Sequence, residues 1–391
     1  MAVIYMEKKL NIAMFGHKRI PSREGGVEIV VEELSTRMAT LGHDVICYSR
    51  SGHHVSGAEF DGMALTEYKG VKIQPVYTWN SKGYAAVTSS FFAALRAAFG
   101  KTDVVHIHAE GPAFMCWLPK LQGKRVIVTV HGLDWQREKW KNGFGSKYIY
   151  LGEKMAVRFA DEIIVLSRNV QEYFRDTYQR ETSWIPNGTT RPEYAAAREI
   201  TEKFGLEKDE YILFLGRMVP EKGIHYLIEA FRQVKTHRKL VIAGGASDTN
   251  VYLQQLKDLA KADDRILFTG FVQGKLLEEL YSNAYVYVLP SDLEGMPLSL
   301  LEAMSYGNCC LTSDIKECTE VTGEKGVSFR KGDVSDLTAK LQQLCDDTAL
   351  VGAYKSEAAD YICRKYSWDA VVEETLRLYR GEAAYESITG K

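Results

Sequence analysis

YILFLGRMVPEKG, residues 211–223, decides the architecture of this chain. Its first half is an apolar run suited to a buried strand, and its second half is a Gly- and Pro-containing loop that leads into a helical pattern. Upstream, LNIAMFG (10–16) opens in the same way and begins a first series: DVICYSR (44–50), VKIQPVY (71–77), DVVHIH (103–108), RVIVTVH (125–131) and EIIVLS (162–167). Helical periods separate most of these runs, the first from about Val27 to Leu41. The 211–217 run then starts a second series with KLVIAGG (239–245), RILFTG (265–270), AYVYVLP (284–290) and NCCLTS (308–313). The alternation reads as α/β, with two consecutive doubly wound units rather than one large sheet.

The junction is expected in SWIPNGTTRPEY (183–194), where two prolines and a glycine interrupt the periodicity. Residues 8–190 then form a first Rossmann-like domain and residues 191–365 a second. A terminal helix over 366–380, centred on SWDAVVEETLRLY, is long enough to return to the first domain. Two such domains facing each other predict a deep cleft, with ligands at the carboxyl ends of the strands.

Composition narrows the function classes. The 391 residues exceed one ordinary domain, and 46% apolar with 26% charged residues is the make-up of a soluble globular protein. A formal net charge of -2 argues against nucleic-acid binding, which needs a strongly basic face. Seven cysteines without a CxxC pair suit a reducing cytosol, and neither a signal peptide nor a membrane span is read. A cytoplasmic location is expected.

Several segments fall where a doubly wound sheet binds ligands. In GHKRIPSREGGVE (16–28), Gly25 and Gly26 open a helix, where free amides favour an anion; a glycine-rich cap without ligand reads equally well. The spacing is not GxGxxG. Arg19 and Arg23 in that loop could meet an anionic substrate, although each alone reads as a solvated charge. His131 of HGLD ends a strand and can donate to a substrate hydroxyl or to developing charge, or merely bond a neighbouring loop. His106 and His108 resemble a metal pair, but no further Cys/His cluster supports a site, and no metal is expected. Arg217 and Lys222 flank a Pro-containing loop before a helix, an arrangement for a diphosphate clamp or for a solvated basic loop.

SDLEGMPLSLLEAMSYG (291–307) carries two acids. Glu294 and Gly295 lie in a strand-to-helix loop, and the helix begins near Pro297. The amides of Met296 and Leu298 are expected to face outwards. Glu302 sits among Leu300, Leu301, Ala303 and Met304, where an unpaired acid is costly, so it needs a partner. Two carboxylates of this kind accept paired hydrogen bonds from vicinal hydroxyls.

These motifs in this order, namely GGVE, HG after a strand, IPNG at the junction, GRMVPEKG, and two acids flanking GMPLSLL, resemble glycosyltransferase family 4. The similarity spans roughly residues 8 to 380, and the 16–34 loop is similar to a subgroup that builds bacterial polysaccharides and includes rhamnosyltransferases. The resemblance implies the GT-B fold and a retaining, metal-independent transfer from a nucleotide-diphosphate sugar, without a cofactor, to a saccharide or lipid-linked acceptor. It gives Arg217 and Lys222 the donor diphosphate, helped by the amides of Gly25 and Gly26 when the domains close. Glu302 takes the ribose. Glu294, with the backbone of Gly295, Met296, Pro297 and Leu298, takes the sugar hydroxyls. His131 lies beside the reacting carbon, the base packs near Phe271 to Gly274, and Trp368 anchors the returning helix. YGNCCLTSD departs from the family where a proline often precedes the strand.

Acceptor choice is expected in LDWQREKWKNGFGSKYIY (133–150), where Trp135, Trp140, Tyr148 and Tyr150 mix with Arg137, Lys139, Lys141 and Lys147. The mixture suits a carbohydrate platform, the inner face of an anionic membrane, or a solvated loop. Rival readings are a nucleotide-sugar epimerase, a non-catalytic sugar-nucleotide sensor, and, weakest, an NAD(P) oxidoreductase.

Overall fold

The structure, a computed structural model, describes residues 8–52, 65–79, 81, 84–133, 135, 144–245 and 251–382. The chain divides into two compact units, Met1–Pro186 with Trp368–Lys391, and Asn187–Ser367. The first division falls inside the expected junction, and the terminal helix Trp368–Arg380 belongs to the first unit. Among the described residues no helix is long and apolar enough to cross a membrane.

Unit 1 is built on strands β1 (Asn11–Phe15), β2 (Asp44–Arg50), β3 (Glu67–Tyr68), β4 (Val71–Val76), β5 (Val104–His108), β6 (Arg125–Val130), β7 (Glu162–Val165) and β8 (Ser183–Trp184). Their order in the sheet is β3-β4-β2-β1-β5-β6-β7-β8, parallel except for the β3–β4 pair. Small residues set the helix distance on one face. Ala93, Ala94 and Ala97 of the helix Tyr84–Phe99, and Ala156 of the helix Phe144–Phe159, are fully buried in one cluster with Val105, Ile107, Val128 and Ile163.

Unit 2 adds β9 (Tyr211–Leu215), β10 (Lys239–Ala243), β11 (Ile266–Gly270), β12 (Val286–Leu289), β13 (Cys309–Ser313) and β14 (Val327–Phe329). The order is β11-β10-β9-β12-β13-β14, all parallel. Its central strands are apolar at nearly every position because helices cover both faces: Ile212, Leu213, Phe214, Tyr287, Val288, Cys309 and Cys310 have no exposure. Strand order reverses between β1 and β5 in unit 1 and between β9 and β12 in unit 2. Neighbouring loops turn away from each other there, leaving a crevice at the carboxyl ends.

The returning helix docks by chemistry as well as by apolar burial. Trp368 is buried, with the Arg37 guanidinium 5.9 Å from its ring centroid. Arg125 Nε donates to the Leu378 carbonyl at 2.7 Å, and the Tyr379 hydroxyl meets His106 Nδ1 at 2.6 Å in the interior. Tyr379→Phe strips the buried His106 of that partner while leaving the ring in place. The variant is expected to lose about 1–3 kcal/mol of unfolding free energy. A urea midpoint equal to wild type would show that the bond contributes nothing to docking.

Candidate active site

In unit 2 the two loops beside the β9/β12 reversal are stitched together. Asp292 N donates to the Glu221 carbonyl at 2.8 Å. Gly223 adopts φ +64, and a Cβ there would lie 2.0 Å from the Pro290 carbonyl oxygen, so only glycine permits this approach. The stitch places Lys222 Nζ 2.5 Å from Glu294 Oε1, with side chains only 13% and 9% exposed. Ser291 Oγ donates to the same oxygen at 2.6 Å, and Ser313 Oγ holds the Ser291 carbonyl at 2.5 Å. Arg217, just past β9, is exposed, and among the described residues its guanidinium has no ion pair or hydrogen bond.

Pro297 is the N-cap of the helix Leu298–Ser305 rather than its first residue, and it offers no capping side chain. Leu300 N and Leu301 N both donate to the Pro297 carbonyl, at 3.0 and 3.2 Å, and the amides of Leu298 and Ser299 come before the first of these bonds. Asn187 tethers this turn: its amide N–H meets Met296 Sδ at 3.0 Å and its Nδ2 donates to the Met296 carbonyl at 3.3 Å. One turn along, Glu302 Oε2 accepts from the Tyr281 hydroxyl at 3.1 Å. Burial, and then the Glu302 charge, pushes the Tyr281 phenol far above its ordinary value, so it stays a neutral donor. Tyr281 is itself stacked on Tyr306 at 5.3 Å. Phe271 follows β11 and is 39% exposed.

In unit 1 the reversal lies between the loops after β1 and β5. Glu28 Oε1 accepts from Lys18 N at 2.9 Å, and Lys18 Nζ pairs with Glu24 at 2.9 Å. These acids brace the loop that delivers Gly25 and Gly26 to the start of the helix Gly26–Thr40. Gly25 is its extended N-cap, without a side-chain cap, and Gly26 is exposed. His131, after β6, holds its Nε2 3.1 Å from His108 Nδ1. His106 is engaged at both nitrogens, by Tyr379 and by Thr129 Oγ1 at 2.7 Å. Burial lowers His17 and His106 to about 3, so both are neutral at ordinary pH.

Sequence models of two families match the chain. One, Glycosyl transferases group 1, covers residues 197–379, and the other, Glycosyltransferase Family 4, covers residues 24–190. The chain belongs to the glycosyltransferases. An uncharacterised glycosyltransferase of Methanocaldococcus jannaschii is 25% identical, with 95% of this chain and 98% of that protein aligned. The structure of a sucrose-phosphate synthase from Thermosynechococcus elongatus superposes with a TM-score of 0.81 at 21% identity, over 95% of this chain and 99% of that one. HepE of Anabaena, solved with UDP-glucose, gives 0.78 at 15% identity, over 95% and 100%. These neighbours share the two-domain α/β architecture, the GT-B fold.

Of the residues expected in the site of this glycosyltransferase, unit 2 carries Arg217, Lys222, Phe271, Glu294 to Leu298 and Glu302, and unit 1 carries Gly25, Gly26 and His131. Lys222 and Glu294, assigned to different parts of a donor, are in direct contact. Arg19 is 8% exposed, not the solvated charge its composition implied. His106 and His108 share a face of β5, with ring centroids 4.1 Å apart. Arg137, Lys139, Trp140 and Lys141 lie outside the described residues. Sequence reading gave no role to Asn187, although IPNG was singled out, nor to His17 and Tyr281, which only strand order and helix packing bring to the site.

Gly223→Ala tests the stitch. It adds both a left-handed strain and the Pro290 clash, expected to cost about 2–4 kcal/mol. Gly205→Ala is the control: its φ is +61, but the nearest atom to a Cβ there is the flexible Lys239 Nζ at 3.9 Å. Backbone strain alone is expected to cost about 1 kcal/mol. Equal urea midpoints for the two variants would remove the Pro290 contact from the argument.

Proposed function

We propose that the protein is a retaining, metal-independent glycosyltransferase that moves a sugar from a nucleoside diphosphate sugar to a saccharide or lipid-linked saccharide acceptor, in the synthesis of a surface polysaccharide. The observation that carries this reading is the Lys222–Glu294 pair at the β9/β12 reversal, where Arg217, just past β9, has no ion pair among the described residues. A carboxylate whose lysine is already in place can accept sugar hydroxyls, while the ammonium keeps donors for a phosphate oxygen. Glu302, oriented by Tyr281, accepts from the vicinal hydroxyls of a ribose. The solved HepE complex makes UDP-glucose the first donor to try.

Departure of the nucleoside diphosphate puts charge on phosphate oxygens and leaves the sugar oxocarbenium-like. Arg217, Lys222 and the amides at the start of the helix Leu298–Ser305 stabilise that charge, which grows as the glycosidic bond breaks and so counts for more in the transition state than in the bound donor. This is the work a divalent ion does in other transferases. The acceptor hydroxyl attacks from the face the diphosphate leaves, and a donor phosphate oxygen takes its proton, so configuration is kept.

The test is thermal shift with UDP, GDP, ADP and dTDP sugars in chelator, on wild type and Glu302→Gln. The substitution keeps an acceptor for Tyr281 and removes the charge, so Kd for the matching donor is expected to rise about 10- to 100-fold. With the donor found, proton NMR of the product is expected to show the donor's anomeric configuration. Binding without turnover for any acceptor identifies a sensor instead, and an inverted product overturns retention.

Peripheral membrane contact is part of the same proposal. In the helix Phe144–Phe159, Lys147, Lys154 and Arg158 are exposed with Tyr150 and Leu151, while the one acid, Glu153, is fully buried and accepts from Tyr173, Tyr178 and Trp135. The exposed face is therefore cationic and partly apolar. Each such cation is worth about 1 kcal/mol at an anionic surface. Sedimentation with phosphatidylglycerol vesicles, but not phosphatidylcholine vesicles, is expected, and it is expected to disappear when Lys147, Lys154 and Arg158 are changed to Gln. No sedimentation with phosphatidylglycerol vesicles rules the contact out, and equal binding to both lipids overturns its cationic basis.

A further inference from the structure

Unit 1 contains a row of imidazoles that the transfer chemistry above leaves unexplained. His131 Nε2 lies 3.1 Å from His108 Nδ1. The His108 ring lies against that of His106, which closes the row on Tyr379 and Thr129. Burial holds His108 well below its ordinary value, and repulsion by His106, His131 and His17 acts in the same direction. His108 is thus neutral and carries one ring proton, which has two places to sit.

On Nε2 the proton would make a donor with no partner, because that atom is buried and unbonded among the described residues. Orphaned interior N–H groups are rare, for each forfeits its hydration without return. On Nδ1 the proton is donated to His131 Nε2, and only a lone pair is left bare at His108 Nε2. The second arrangement satisfies the row.

The geometry points to His108 as the residue that sets the tautomer of His131: His108 donates from Nδ1, His131 accepts at Nε2, and His131 therefore carries its own proton on Nδ1. This inference deepens the proposed function and rests on it for the place of His131 beside the sugar. His131 then works as a hydrogen-bond donor to substrate oxygen. It cannot serve as the base for the acceptor hydroxyl, since its one lone pair is committed to His108. That agrees with a phosphate oxygen taking the acceptor proton. His108 is a positioning residue, because it acts only through His131.

Long-range proton–nitrogen correlation on the full chain labelled with 15N-histidine reads this directly, without substrate. His131 is identified by the signals lost in His131→Gln. The expected pattern at neutral pH is a protonated Nδ1 and a bare Nε2 on His131; a proton on Nε2 overturns the proposal. In His108→Leu, His131 is expected to become a tautomer mixture, and kcat to fall about a hundredfold with donor KM little changed, as for a small misplacement of a reacting group. His108→Asn, whose amide can donate from near the Nδ1 position, is expected to restore most of both. A purely structural His108 would lower thermal stability without moving the His131 pattern, and that result also overturns the proposal. If His108→Leu does not fold, the wild-type spectrum decides alone. Failure of the transferase reading would appear separately, in the donor shifts, and would leave this spectrum interpretable.

Discussion

Strand-order reversal is the constraint on which the loop arrangement of each unit depends. Beside β9 and β12 the connecting segments leave in opposite directions, so the loops ending at Gly223 and Pro297 meet without helices packed between them. They approach so closely that a methyl group at Gly223 would collide with the Pro290 carbonyl. That contact fixes where the backbone turns, and the turn fixes Lys222 against Glu294. In unit 1 the β1/β5 reversal does the same for the loop after Gly16 and for His108. The chemistry differs between the units, but the crevice in each comes from one topological rule.

The Lys222–Glu294 pair is poised between structure and function. A largely buried ion pair is weak support for stability, because desolvating two charges offsets most of their attraction. Its value here is preorganisation. Ser291 and the Asp292–Glu221 bond hold the acid in one orientation, which is what the proposed donor site would require. Among the described residues Arg217 has no such brace.

Sequence reading recovered the long strands because a run such as YILFLGR or AYVYVLP is apolar throughout when helices cover both sheet faces. It missed β3, β8 and β14, of two or three residues each, since no period can be read over so short a stretch. It also took Ser183–Trp184 as junction where the chain first completes the edge of the unit 1 sheet. Glu302 was legible because an acid among leucines demands a partner, yet the partner could not be named: Tyr281 stands on another helix, 21 residues upstream. The histidine row shows a different limit. HIH was weighed as a metal pair, because spacing alone says nothing of Tyr379, which arrives at His106 from the far end of the chain.

The two units differ in the polar groups they bring to their strand ends. Unit 2 carries Arg217, Lys222, Glu294 and Glu302. Unit 1 keeps its imidazoles uncharged by burying His17, His106 and His108 where protonation is costly. A neutral imidazole directs a hydrogen bond without adding a cation, so histidines kept in this state suit uncharged hydroxyl partners better than phosphate oxygens.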